Sequence, residues 1–172
     1  MPVPVVSDEP RVIPIAEAHV EGFWSAVDAV ARERRWLAGV EAYPLEATRE
    51  FVRDNLAKGF PQFVAVAGDR VVGWCDIVPL TPHPGFAHNG RLGMGVLAEF
   101  RGRGLGRALV AAALAAAPRA GFRRVELEAY SSNAAALALY RRVGFEVEGV
   151  KRGVRVLDGV TDDLVCMARW LD

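Results

Sequence analysis

The run "LGMGVLAEFRGRGLGRALVAAALAAA", residues 92–117, constrains the fold more than any other part of the chain. It reads as a strand ending near Val96, a glycine and arginine segment, and an alanine-leucine helix beginning near Gly104, which Pro118 kinks or stops. The first N–H groups of such a helix lack internal partners, and the helix dipole is positive there. Without side chains at Gly102, Gly104 and Gly106 a ligand can approach that backbone, while Arg101, Arg103 and Arg107 surround it with charge. Phosphate is the natural occupant, and a solvated arginine-rich helix cap is the competing reading. A Walker loop is ruled out because no Gly-Lys-Ser/Thr follows. A dinucleotide fingerprint fails because Arg107 or Leu109 stands where it needs Gly or Ala.

The rest of the chain alternates helix and strand signals around this unit. Apolar residues at Val20, Phe23, Trp24, Val27, Val30 and Ala31 predict a helix over Ala18 to Arg35, and Phe51 and Val52 belong to a second over about Leu45 to Leu56. "RVIPI" predicts a short strand whose Pro14 suits an edge, and "FVAVAGDRVVGWCDIV" a hairpin turning at Gly68 and Asp69. Prolines and glycines make "PLTPHPGFAHNG" a loop, after which "RLGMGV" is the next strand. "RRVELEAY" alternates, with Glu126, Glu128 and Tyr130 on one face and Val125, Leu127 and Ala129 on the other. "SSNAAALALYRRVGF" predicts a helix opened by Ser or Asn and closed by Gly144. Two further strands, "EVEGVKRGVRV" and "DDLVCMARW", join through Asp158 and Gly159 as a solvated hairpin. The expected fold class is α/β, a mixed sheet of six or seven strands with about four helices, forming one domain over 11–172 after a flexible arm at 1–10.

Composition limits the partners. Lysine plus arginine (21) equals aspartate plus glutamate (21), so no overall basic bias draws the chain to nucleic acid or anionic lipid. No uncharged apolar run approaches the ~20 residues of a membrane span, and "MPVPVVSDEP" lacks the basic flank and apolar core of a signal peptide. A soluble cytoplasmic protein with no membrane partner is expected. Cys75 and Cys166 lie in apolar, strand-like segments and predict buried free thiols; no cluster has zinc-ligand spacing, so no metal is expected.

The spacing Arg-x-x-Gly-x-Gly, at Arg101, Gly104 and Gly106 between a strand and a helix, resembles the acetyl-CoA pyrophosphate loop of the GCN5-related N-acetyltransferase (GNAT) family. "VELEAYSSNAAALALYRRVGF" is similar to the second signature of that family, carried here by Asn133, Leu139, Tyr140, Gly144 and Phe145. The resemblance spans roughly residues 11 to 170. It implies the acyl-CoA N-acyltransferase fold, acetyl-CoA as co-substrate, and direct attack of an amine on the thioester carbonyl while both substrates are bound.

Site roles follow from the resemblance. Tyr140 would protonate the departing thiolate. Asn133 would bond the pantetheine arm as well as cap its helix, with Ser131 and Ser132 able to share the capping. Met94, Gly95 and Val96 would meet the pantetheine through their backbone and supply oxyanion donors. Glu128 matches a glutamate that ribosomal-protein alanine acetyltransferases carry on this strand and is the candidate base, with Glu126 and water as alternatives. An alkyl ammonium, with a pKa near ~10.4, needs such a route for its proton. Trp36, Tyr43, Trp74, Asp76 and His88 are candidates for the acceptor pocket: the aromatics for an apolar or cationic group, Asp76 for an ammonium. Core packing or plain exposure is an equally open reading of each. The implied activity is acetylation of the primary amine of a small molecule such as an amino acid, polyamine or drug-like amine. A protein N-terminus or lysine is the alternative acceptor, and a non-catalytic acyl-CoA-binding module the alternative of another class. A homodimer is a further possibility the resemblance leaves open.

Overall fold

A computed structural model describes residues 9–171, so most of the arm expected at 1–10 and the last residue of the domain lie outside the described residues. These form seven strands and four α-helices: β1 (Arg11–Pro14), α1 (Val20–Arg32), α2 (Leu45–Lys58), β2 (Gln62–Ala67), β3 (Arg70–Pro79), β4 (Asn89–Val96), α3 (Leu105–Ala116), β5 (Arg124–Tyr130), α4 (Ala134–Arg142), β6 (Glu146–Leu157) and β7 (Val160–Trp170). The first helix is shorter than its apolar period suggests. It opens as a 3-10 turn at Glu17–His19, and beyond Arg32 the backbone reverses through Arg34 at φ 58°.

One sheet runs in the order β1-β2-β3-β4-β5-β7-β6. Its face toward α1 and α2 is marked by Phe23 edge-on to Trp74 at 6.0 Å and by the Asn55 side chain bonded to Gln62. The opposite face carries α3, where Leu109 fills the space a side chain at Gly73 would need. Leu105, Leu109, Val110 and Ala113 make the buried stripe of α3, and each large apolar side chain buried in this way stabilises the fold by about 1.5–3 kcal/mol.

The site is created by the one parallel pair among the described residues. β4 and β5 are in register only from Asn89–Arg124 to Arg91–Glu126, yet β4 continues to Val96 and β5 to Tyr130. Each keeps its outer partner throughout, β4 with β3 and β5 with β7. The facing edges therefore part into a wedge, walled on one side by the unpaired backbone edge of residues 92–96.

The last hairpin is the solvated ribbon expected, with most of β6 exposed, but its tip is tethered. Its register slips between Lys151 and Arg155, where Gly153 sits at φ 61° and donates its N–H to Asp163 Oδ1 at 2.7 Å. The bend carries the tip onto the α1–α2 connection: Arg34 makes two bonds of 2.8 Å to Asp158, and Arg155 donates to the Arg34 carbonyl at 3.0 Å.

Candidate active site

The loop ahead of α3 is shaped by backbone requirements. Gly102 and Gly104 are left-handed, at φ 73° and 80°, a region L side chains rarely enter. Gly106 is needed for a different reason: a Cβ there would press within 3.3 Å of both Leu139 and Met94. No side chain caps α3, and its first turn holds no acid, so the opening N–H groups remain available to an anion. Arg103 lies over the Phe100 ring at 5.6 Å, and Arg107 is exposed on the first turn. Arg101 points elsewhere. It donates Nε to the Val96 carbonyl at 2.8 Å, and its other nitrogens grip Glu33. Its hydrogen bond holds the Glu33 carboxyl below the usual range.

On the α3 side of the wedge, α4 buries Leu137 and Tyr140. The Tyr140 ring packs edge-on to Phe145 at 5.9 Å, and its hydroxyl has no hydrogen-bond partner among the described residues. Burial, reinforced by the Cys75 thiol, pushes its pKa upward, so the phenol stays protonated. Cys75 is paired across the strands with Met94, which puts Tyr140 beside the wedge. Asn133 caps α4, accepting the Ala136 N–H at 3.2 Å. The serines take no part in the capping, because Ser131 and Ser132 both donate their hydroxyls to Asp162.

The other face of the wedge carries carboxylates. Glu128 accepts from Arg91 at 2.5 Å and from Lys151 at 2.7 Å. Burial raises its carboxyl, but the Lys151 bond and the Arg91 charge outweigh burial and leave it lowered, which suits a fixed anion better than a proton acceptor. Glu126 is likewise taken up, by Arg124 at 2.6 Å and by Asn89. Trp74 is core, lying across Gly95 so closely that a Cβ there would fall 2.2 Å from its ring. Asp76 faces the same side, opposite Gly93 in the register.

The remaining acceptor candidates are scattered. Trp36 donates its indole N–H to Glu33 at 2.7 Å and belongs to the Arg101 cluster. Tyr43 is 82% exposed. His88 stacks on Trp170 at 5.8 Å, before the paired start of β4 and at the opposite end from the wedge, which removes it from the acceptor side. Glu33, Arg91, Lys151 and Arg155 were not among the expected site residues. In sequence Glu33 sits in the charged run "ARERRW", Lys151 and Arg155 in "VKRGVRV", and Arg91 alone in "NGRLG", none of which signals a specific partner.

Residues 27–145 match the Acetyltransferase (GNAT) family. The chain belongs to this family. L-methionine sulfoximine/L-methionine sulfone acetyltransferase of Pseudomonas aeruginosa is 33% identical over 128 residues, 73% of this chain and 74% of that one. N-alpha-acetyltransferase RimI of Mycobacterium tuberculosis is 41% identical over 88 residues, 51% of this GNAT chain and 53% of that protein. The fold is also that of yncA from Salmonella typhimurium, solved with its cofactor acetyl-CoA: TM-score 0.88 at 21% identity, covering 95% of this chain and 94% of that one. As a GNAT acetyltransferase the chain uses acetyl-CoA. Among the described residues no helix is long and apolar enough to cross a membrane.

Proposed function

We propose that this acetyltransferase moves the acetyl group of acetyl-CoA to the primary amine of a small molecule, in a complex that holds both substrates. One observation carries the reading: the wedge between β4 and β5 opens to both faces of the sheet, with a neutral phenol at one mouth and carboxylates at the other. The diphosphate binds the free amides of α3 with Arg103 and Arg107, and Arg101 fixes the loop from behind. The backbone of Met94, Gly95 and Val96 pairs with the pantetheine and supplies donors to the carbonyl oxygen as charge builds there. Asn133 keeps its side-chain N–H groups for the same arm while its oxygen caps α4. Tyr140 donates its proton to the departing thiolate.

The ribbon tip favours a small acceptor. Arg34 donates to Asp158 and Arg155 to the Arg34 carbonyl, and this tether of the ribbon to the α1–α2 connection supports a narrower acceptor side than an extended protein segment needs. The likeness to an enzyme named for L-methionine sulfoximine supports the same class. Thiol release from acetyl-CoA, measured with L-methionine sulfoximine, spermidine and a peptide bearing a free N-terminus, tests the reading. Turnover of either small amine above the peptide supports it. Preference for the peptide overturns the small-molecule assignment, and cofactor binding without any amine-dependent release overturns catalysis.

A further inference from the structure

Asp76 is a buried carboxylate without a partner. It is 8% exposed and makes no hydrogen bond or ion pair among the described residues. Its cross-strand neighbour on β2, Gln62, is 4% exposed, accepts from Asn55 at 3.0 Å through Oε1, and leaves its Nε2–H groups unpaired. Residues directly opposite in an antiparallel pair share a face, so an acceptor-only group and an unused donor stand side by side beneath α1 and α2. Gln62 Nε2 is fully buried, whereas the carboxylate oxygens of Asp76 still reach solvent, so Asp76 is open to a donor arriving from the wedge.

The location is specific. Asp76 is opposite Gly93 on β4, two residues past the last β4–β5 pair, where the wedge begins. The alternation of β4 aims positions 93 and 95 at this face, where the Trp74 ring covers Gly95 and Gly93 sets no side chain of its own against Asp76. A Cβ at Gly93 would lie 3.4 Å from Asp76 Oδ1. Burial pushes its pKa up to about 7, with no charge from α1, α2, β2 or β4 contributing. Cys75, the neighbour that feels its charge, faces the other side of the sheet.

We propose that Asp76 receives the ammonium of the acceptor and takes its proton before attack. The inference rests on the transferase reading above and narrows the acceptor to a cationic amine. The carboxylate of Asp76 removes one proton from the ammonium, and the freed lone pair forms the C–N bond at the thioester carbon. The C–S bond breaks, the thiolate takes the Tyr140 proton, and the nitrogen returns its surplus proton to Tyr140 through water. Asp76 then loses its proton to solvent.

The test compares wild type with Asp76→Asn in two assays. Calorimetry follows L-methionine sulfoximine, spermidine and a free N-terminal peptide binding to protein saturated with CoA, which has no acetyl group to transfer. Binding of at least one amine to wild type, weakened about 10-fold or more in the variant, is expected. Thiol release is then measured with those amines from pH 7 to 10, with acetyl-CoA binding as the control. Asp76→Asn should lower kcat/KM about 100-fold at pH 7 and progressively less as the pH approaches the pKa of the free amine, while acetyl-CoA affinity stays within about 2-fold. A loss of the same size at every pH would show a merely structural role and overturn the proposal. So would an undiminished variant, or no amine bound to wild type. Amine binding that depends on Asp76 without any turnover would leave this site standing and sink the transferase reading instead.

Discussion

Arg101 and Glu33, 68 residues apart in sequence, form a two-point ion pair of 2.9 and 2.6 Å that ties the end of α1 to the loop before α3. The first arginine of the glycine loop is thereby a brace, while Arg103 and Arg107 remain free to meet an anion. Reversing the charge of Arg103 and Arg107 together should raise the KM for acetyl-CoA about 10-fold or more. Arg101→Ala should lower Tm by a few degrees and move that KM less. Thermal melts alongside steady-state kinetics distinguish the two classes, and the reverse ranking would return Arg101 to the phosphate site.

Tyr140→Phe removes a hydroxyl that no described residue bonds, so the fold should tolerate it. Turnover should fall at least ~10-fold while acetyl-CoA affinity changes little, because a missing acid acts on the transition state. Equal kcat in the variant would take the phenol out of the mechanism.

Asp76 should also leave a mark on stability. Its carboxyl titrates near 3.8 in the unfolded chain and at about 7 in the fold. The folded state therefore binds the proton more tightly, and the stability this gives is complete below pH 3.8 and disappears as pH rises through 7. The loss has an upper bound of about 4 kcal/mol. Asp76→Asn should flatten the fall in denaturant midpoint between pH 4 and 8, making the variant the more stable protein at the alkaline end. A wild-type curve already flat across that window contradicts the raised carboxyl.

Two neighbouring glycines should separate packing from function. Gly95→Ala drives a Cβ to 2.2 Å from the buried Trp74 ring and should destabilise by about 1–3 kcal/mol. Gly93→Ala meets Asp76 Oδ1 only at an ordinary 3.4 Å and should melt close to wild type while losing kcat/KM for the amine. Melting curves and amine kinetics on the two variants are the check.

Much of this is legible in the sequence because it is local. The glycine loop, the alanine-leucine helix, the hairpin at Gly68 and the alternation of Val125, Leu127 and Ala129 all depend on neighbours a few residues away. Asn133 as a cap and Gly144 beyond α4 are equally local. What stays hidden depends on register and long-range pairing. Nothing near Asn89 or Arg124 announces that their strands part after three pairs, and nothing in "ARERRW" selects Glu33 as the partner of Arg101. The capture of Ser131 and Ser132 by Asp162 joins residues about thirty positions apart. His88 falls at the wrong end of β4 for an acceptor role because a proline-rich loop does not reveal which end of the next strand will open.

The most direct test of catalysis at the wedge is mass spectrometry of an amine mixture incubated with the protein and acetyl-CoA, with thiol release followed in the same tube. A singly acetylated small primary amine should appear in step with the thiol, and both should slow together in Tyr140→Phe. Thiol release that no amine accelerates, from a protein whose melting temperature acetyl-CoA still raises, would contradict the transfer of acetyl to an amine.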